Sequence, residues 1–166
     1  LDAAILFADI LLVPMVLGQE LSFVAGEGPR LNPPVREAGF NAVAPFDLSS
    51  LVPVYETVAR VREALPTDKA LIGFAGAPWT VATYMLAGQG VKDPAALRQY
   101  AYQQPETFEA LLAAIESVTI DYLCGQVEAG TDAVQLFESW ASGLPADFLR
   151  QYSVEPCARI AAAVKA

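Results

Sequence analysis

Three groups of residues in this chain have types and spacing suited to chemistry. Asp9 stands alone as a carboxylate within residues 3–17, a run otherwise free of charge. An ionised group in apolar surroundings is costly unless something pairs with it, so Asp9 is either the N-cap of a following helix or a functional acid. The second group is Gly73-Phe74-Ala75-Gly76-Ala77-Pro78-Trp79-Thr80, with Tyr84 following it. Its small residues let backbone approach a ligand, but it matches neither GxGxxG nor the P-loop pattern, which disfavours a nucleotide phosphate. Tyr84 is open to two readings, a half-buried tyrosine with its hydroxyl at the surface or a polar contact to a ligand. The third group is Leu136-Phe137-Glu138-Ser139-Trp140-Ala141-Ser142-Gly143. The chain has no histidine, so a Ser-His-Asp hydrolase built on Ser139 within these residues is excluded. Ser139 is then a loop serine bonding to backbone or a ligand contact. Cys124 and Cys157 lack CxxC spacing and suggest neither a disulfide framework nor a zinc site; they read as helix-core thiols.

The elements that must position these groups follow from periodicity. Continuous apolar runs at 3–7, 70–75 and 133–137 predict strands buried on both faces. Asp9 then caps a helix over 10–17. Leu21 to Ala25 suggests a short strand, and the Gly26-Glu27-Gly28-Pro29 and Asn32-Pro33-Pro34 clusters predict a loop or hairpin excursion. Leu51, Val52, Tyr55, Val58, Ala59 and Leu65 recur at helical steps, with Asp47 and Ser49 as candidate caps. A helix over 79–87 starts near Pro78 and stops at Gly88 and Gly90; Asp93-Pro94 predicts another start. A longer helix after Pro105 carries Phe108, Leu111, Leu112, Ile115, Val118, Tyr122 and Leu123 on one face and ends at Gly130. Pro145 begins a last helix running to Val164.

Strands that are continuously apolar and alternate with helices indicate an α/β fold with a parallel sheet. In such folds functional groups lie just past the carboxyl ends of the strands, which is where all three candidate groups fall. A closed eight-stranded barrel takes roughly 250 residues, so this chain would supply about half of one.

Composition narrows the function. At 54% hydrophobic residues there is ample material for one core, and the expected organisation is a single partial domain over residues 1–166. A net charge of -9, with no basic stripe, argues against nucleic-acid binding through phosphate neutralisation. The most apolar stretch, 3–17, is interrupted by Asp9 and Pro14 and falls short of the roughly 18 apolar residues a bilayer span needs. A soluble, cytoplasmic chain is expected. Leu1 is not a methionine and both termini fall inside apolar or helical patterns, so a fragment of a longer protein is expected.

Three stretches together resemble the uroporphyrinogen decarboxylase family: residues 2–11, residues 71–80 with Thr83-Tyr84-Met85, and Leu136-Phe137-Glu138-Ser139-Trp140, in matching order and spacing. Gly26-Glu27-Gly28-Pro29 is a weaker fourth match, and the similarity covers essentially the whole chain. The resemblance implies a (β/α)8 TIM barrel, a cytoplasmic homodimer, and a decarboxylase that converts uroporphyrinogen to coproporphyrinogen with neither metal nor organic cofactor. It implies that Asp9 accepts hydrogen bonds from the pyrrole N–H groups, that Tyr84 and Ser139 are polar substrate contacts, and that Ile5, Phe74 and Phe137 form an apolar pocket wall.

The family's Arg-Gln-Ala-Gly-Arg-Tyr segment, its Gly-Asn-Leu-Asp-Pro region and its histidine do not occur in these residues. The expectation is therefore that these residues alone do not decarboxylate. Two other readings remain open: a corrinoid or cobalamin-independent type of methyltransferase, disfavoured by the missing histidine, and a non-catalytic half-barrel assembly module pairing through sheet edges.

Overall fold

The computed structural model describes residues 2–26, 28–41, 46–90 and 95–166. In chain order the elements are β1 (Ala3–Ile5), α1 (Leu12–Val16), β2 (Glu20–Val24), β3 (Gly28–Asn32), α2 (Val35–Ala38), a 3₁₀ turn (Ser49–Leu51), α3 (Val52–Ala64), β4 (Ala70–Gly76), α4 (Pro78–Ala87), α5 (Ala95–Gln103), α6 (Pro105–Glu128), β5 (Ala133–Phe137), α7 (Ala146–Leu149), a π-helical turn (Arg150–Val154) and α8 (Glu155–Val164). The Asp93-Pro94 start lies outside the described residues.

Strand β4 is the centre of a parallel sheet in the order β1-β4-β5, with Ile5 level with Ile72, Ile72 with Ala133 and Gly76 with Phe137. The expected excursion is an antiparallel hairpin, β2 with β3. Helix α6 is the main layer behind the sheet. Its Phe108, Leu111, Ile115, Val118, Tyr122 and Leu123 are buried, while Glu109, Asp121 and Glu128 stay exposed. At 24 residues this helix is long and apolar enough to cross a bilayer by length and composition, yet its apolar stripe packs on α4, α8 and β4, as in the core of a layered α/β fold.

Only β4 is nearly buried throughout, so the expectation of doubly buried strands is corrected for β1 and β5. In β5, Val134 and Leu136 face the core, whereas Ala133, Gln135 and Phe137 are exposed. The physical reason is one-sided cover: helices lie behind the outer strands, and nothing among the described residues fills the concave side. The result is an open arc of (β/α) barrel architecture.

Two helix boundaries also differ from the periodicity. Helix α1 starts at Leu12 rather than Ile10, because the Asp9 carboxylate accepts the Leu11 N–H at 2.8 Å and occupies the chain in a turn first. The last helix is not continuous: the π-helical turn interrupts it just before Pro156. Proline cannot donate to the carbonyl four residues back, here that of Tyr152, and its ring crowds that carbonyl, so the ladder widens there.

Candidate active site

The carboxyl ends of β1, β4 and β5 lie side by side, and the three sequence-derived groups meet there. Their shared floor is aromatic. The Phe7 ring stacks on Phe74 with centroids 5.2 Å apart, and Phe74 meets Phe137 edge to face at 5.5 Å. Phe74 is 2% exposed because it is central, whereas Phe137 at 41%, Ile5 at 46% and Phe7 at 83% line the open concave face. Ile5, Phe74 and Phe137 thus share one surface, and Phe7, which lies within the 2–11 stretch but was not singled out from the sequence, belongs with them.

Asp9 is half-buried where the chain leaves β1 and passes over the end of β4. A Cβ placed on Gly76 would lie 2.9 Å from Val81 Cγ2 and 3.2 Å from Ile10 Cβ, so glycine at 76 lets Ile10 and the first turns of α4 pack closely on the end of β4. The Asp9 Oδ1 accepts the Leu11 N–H, and Oδ2 takes no hydrogen bond among the described residues. The cap reading and the functional reading are therefore compatible: one oxygen orients the carboxylate and the other is available. On the buried face of α6, the Tyr122 hydroxyl has no hydrogen-bond partner among the described residues. Burial first, then the neighbouring Tyr55 and Asp9, push that hydroxyl above the ordinary tyrosine range.

Ser139 is exposed at the tip after β5, and its backbone N–H donates to Thr80 Oγ1 at 2.8 Å. Thr80, buried on the first turn of α4, donates its hydroxyl to Glu138 Oε1. The same oxygen accepts the Trp140 N–H at 3.3 Å, and Glu138 Oε2 accepts the Ser153 hydroxyl at 3.3 Å. Trp79 completes the link by donating Nε1–H to the Trp140 carbonyl at 3.2 Å. Tyr84, on the exposed side of α4, packs edge to face on Trp140 at 6.2 Å. Tyr84 on α4 and Ser139 on the loop after β5 are thus tied together, Tyr84 through the Trp140 ring and Ser139 through Thr80.

Glu138 is the residue sequence reasoning passed over. A carboxylate directly after an apolar strand is a legible signal, but its partners Thr80 and Ser153 are far along the chain. Cys157 lies near it, and burial followed by the Glu138 and Glu116 charges pushes its thiol up to about 11. That is the condition of an unreactive core thiol, and both cysteines are unpaired.

A chain with this sheet, this carboxylate and this loop can be compared with known proteins. The sequence profile of the family described as Uroporphyrinogen decarboxylase (URO-D) matches residues 1–166. The chain belongs to the uroporphyrinogen decarboxylase family. Similar relatives include the uroporphyrinogen decarboxylase of Novosphingobium aromaticivorans, 51% identical over 99% of this chain and 48% of its own length. That of Roseobacter denitrificans is 52% identical over 99% of this chain and 48% of its own. The chain thus spans about half the length of the relatives it matches. Among solved structures, a methyltransferase from Methanosarcina mazei superposes with a TM-score of 0.76 at 23% identity, covering 98% of this chain and 49% of that one. At that identity the likeness speaks for the fold alone, and it agrees with the half-barrel arc. Membership in the uroporphyrinogen decarboxylase family agrees with the reading of the three sequence stretches.

Proposed function

We propose that the protein to which this chain belongs is a carboxy-lyase that converts uroporphyrinogen III to coproporphyrinogen III, losing carbon dioxide from each acetate side chain. The observation that carries the reading is the Asp9 carboxylate, whose Oδ2 takes no hydrogen bond among the described residues, just past β1 and the Phe7, Phe74 and Phe137 floor. A reduced tetrapyrrole offers complementary chemistry, an apolar ring system whose pyrrole N–H groups donate to one acceptor.

In this reading protonation of the ring α-carbon next to the acetate-bearing carbon makes the pyrrole an electron sink, with positive charge shared between the acetate-bearing carbon and the ring nitrogen. The bond to the carboxylate then breaks, carbon dioxide leaves, and the electron pair forms an exocyclic methylene that quenches the ring cation. Adding a proton to the methylene and removing the ring proton leaves a methyl group and restores the pyrrole. Positive charge develops at the ring nitrogen, and Asp9 opposes it through the N–H; a partly dry pocket strengthens that interaction. Ile5, Phe74 and Phe137 supply the dry wall, and Tyr84 and Ser139 the polar contacts. Closure of the arc into an eight-stranded barrel, a homodimer and a cytoplasmic location belong to the same proposal. They are supported by family membership, by relatives twice as long as this chain, and by two free thiols suited to a reducing compartment.

The test is anaerobic conversion of uroporphyrinogen by the full-length protein and by its Asp9→Ala variant, with products separated by carboxylate number. Conversion by the parent and a loss of about 10²–10³ in kcat for the variant are expected, the range seen when a preorganised charge stabiliser is removed. Full activity in Asp9→Ala would overturn the role given to Asp9, and an inactive parent would overturn the reaction.

A further inference from the structure

Ile72 shows its carbonyl to β1, where it accepts the Leu6 N–H at 3.0 Å. Backbone groups two residues apart in a strand point to the same edge, so Phe74 also turns its N–H and C=O toward β1. Strand pairing with β1 ends at Ile5 with Ile72, because the chain there leaves the sheet toward Asp9. Both Phe74 groups are buried, and a parallel neighbour that has departed cannot satisfy them.

Gln126 fills that gap. From α6 its Oε1 accepts the Phe74 N–H at 3.0 Å and its Nε2 donates to the Phe74 carbonyl at 3.1 Å. The side-chain amide stands where the next peptide of β1 would be. Its seat is shaped by a glycine: a Cβ on Gly73 would overlap Gln126 Oε1 and come within 3.1 Å of Thr131 Cγ2. Gln126 is itself 1% exposed, one helical turn after Tyr122 on the same buried face of α6.

We infer that Gln126 is a positioning residue: by replacing β1 at Phe74 it fixes where the chain leaves the sheet, and so holds Phe74 and Asp9 in their mutual places. Gln126 touches no reacting atom. An ordinary β-ladder would keep residues 7–9 in the sheet and bury the carboxylate's line of exit, whereas the amide lets β4 continue without its neighbour. What the positioned groups do rests on the decarboxylase reading; that Gln126 positions them does not.

The experiment uses the full-length protein with Gln126→Met, with Gly73→Ala as an independent way to displace the amide, and with Leu111→Ala as a control on the same helix away from the site. Amide hydrogen exchange and uroporphyrinogen turnover are measured well below each unfolding transition. Exchange at Phe74 is expected to accelerate in Gln126→Met and Gly73→Ala, while Leu71, whose N–H is held by Asp132 Oδ2 at 2.7 Å, keeps its protection. The kcat is expected to fall by about 10- to 100-fold in both, as for a misplaced catalytic group, with Leu111→Ala unaffected at equal thermal loss. In an Asp9→Glu background, where the carboxylate is already displaced, Gln126→Met is expected to cost clearly less. Unchanged exchange at Phe74, a matching kcat loss in the control, or full additivity with Asp9→Glu would each overturn the inference. An inactive parent with accelerated exchange at Phe74 would overturn the decarboxylase reading and leave the positioning role standing.

Discussion

Thr80 donates its hydroxyl to Glu138 and, on the same oxygen, accepts the backbone N–H of Ser139 at 2.8 Å. One buried threonine at the start of α4 therefore sets the place of the loop that follows β5. Thr80→Val keeps the shape and removes both bonds, leaving the Ser139 N–H without its acceptor. The full-length variant should lose about 1–3 kcal/mol in urea unfolding. It should also raise KM for the tetrapyrrole more than it lowers kcat, and Thr80→Ser should restore both. A stability loss with KM unchanged would remove Ser139 from the substrate contacts.

The opposite end of the sheet should behave differently. Arg62 donates to Asp132 Oδ2 at 2.9 Å and to the carbonyls of Leu65, Pro66 and Lys69 at 3.2–3.3 Å, and Asp132 in turn holds the Leu71 N–H. These bonds tie the end of α3 to the amino-terminal ends of β4 and β5, the face that carries stability in this architecture. Because the pair is partly exposed, Arg62→Met should cost about 1–2 kcal/mol of stability. Its kcat and KM below the transition should match the parent. A changed KM would mean that this end of the sheet reaches the site.

Alkaline pH offers a test of the α3–α6 interface. Burial first, then Asp121, Glu128 and Cys124, push Tyr55 from 10.0 up to about 12, and burial raises Tyr122 as well. In the unfolded chain these phenols ionise near 10 while the folded protein keeps their protons, so the native state binds more protons above that pH. Stability from these groups is complete below pH 10 and is lost as pH rises toward about 12. The urea midpoint of the parent should fall over this window more steeply than that of Tyr55→Phe or Tyr122→Phe. At pH 7 Tyr122→Phe should be nearly neutral, since its hydroxyl has no partner among the described residues to lose. Destabilisation at pH 7 by more than about 1 kcal/mol would reveal a bond to that hydroxyl.

What was legible in the sequence was local. Asp9, Phe74 and Phe137 could be placed because each ends or follows an apolar run, and a parallel sheet sends such ends to one side. The long helix after Pro105 was legible because its apolar stripe recurs over many turns. The pairs that hold the site were not: Gln126 meets Phe74, and Thr80 meets Glu138, across more than fifty positions, and the periodicity of α6 puts residue 126 on the buried face without saying which backbone its amide serves. The one-sided exposure of β1 and β5 was hidden for a related reason. A continuous apolar run records that both faces are suited to burial, not which of them this stretch of chain covers by itself.

That exposure makes Phe7 the most informative residue to remove. Phe7 is 83% exposed while its ring stacks on Phe74, so none of the described residues buries its outer face. If substrate covers it, Phe7→Ala in the full-length protein should lose only the stacking contribution of about 0.5–1.5 kcal/mol. Its KM for uroporphyrinogen should then rise markedly, because the macrocycle loses part of the floor beside Asp9. If another part of the protein covers the ring, the same substitution leaves a cavity, and the loss should approach about 3–5 kcal/mol. Thermal unfolding with and without a bound tetrapyrrole separates the two. A substrate-covered Phe7 predicts that ligand raises the unfolding temperature of the parent more than that of the variant, whereas a protein-covered Phe7 predicts a large deficit in the variant before any ligand is added.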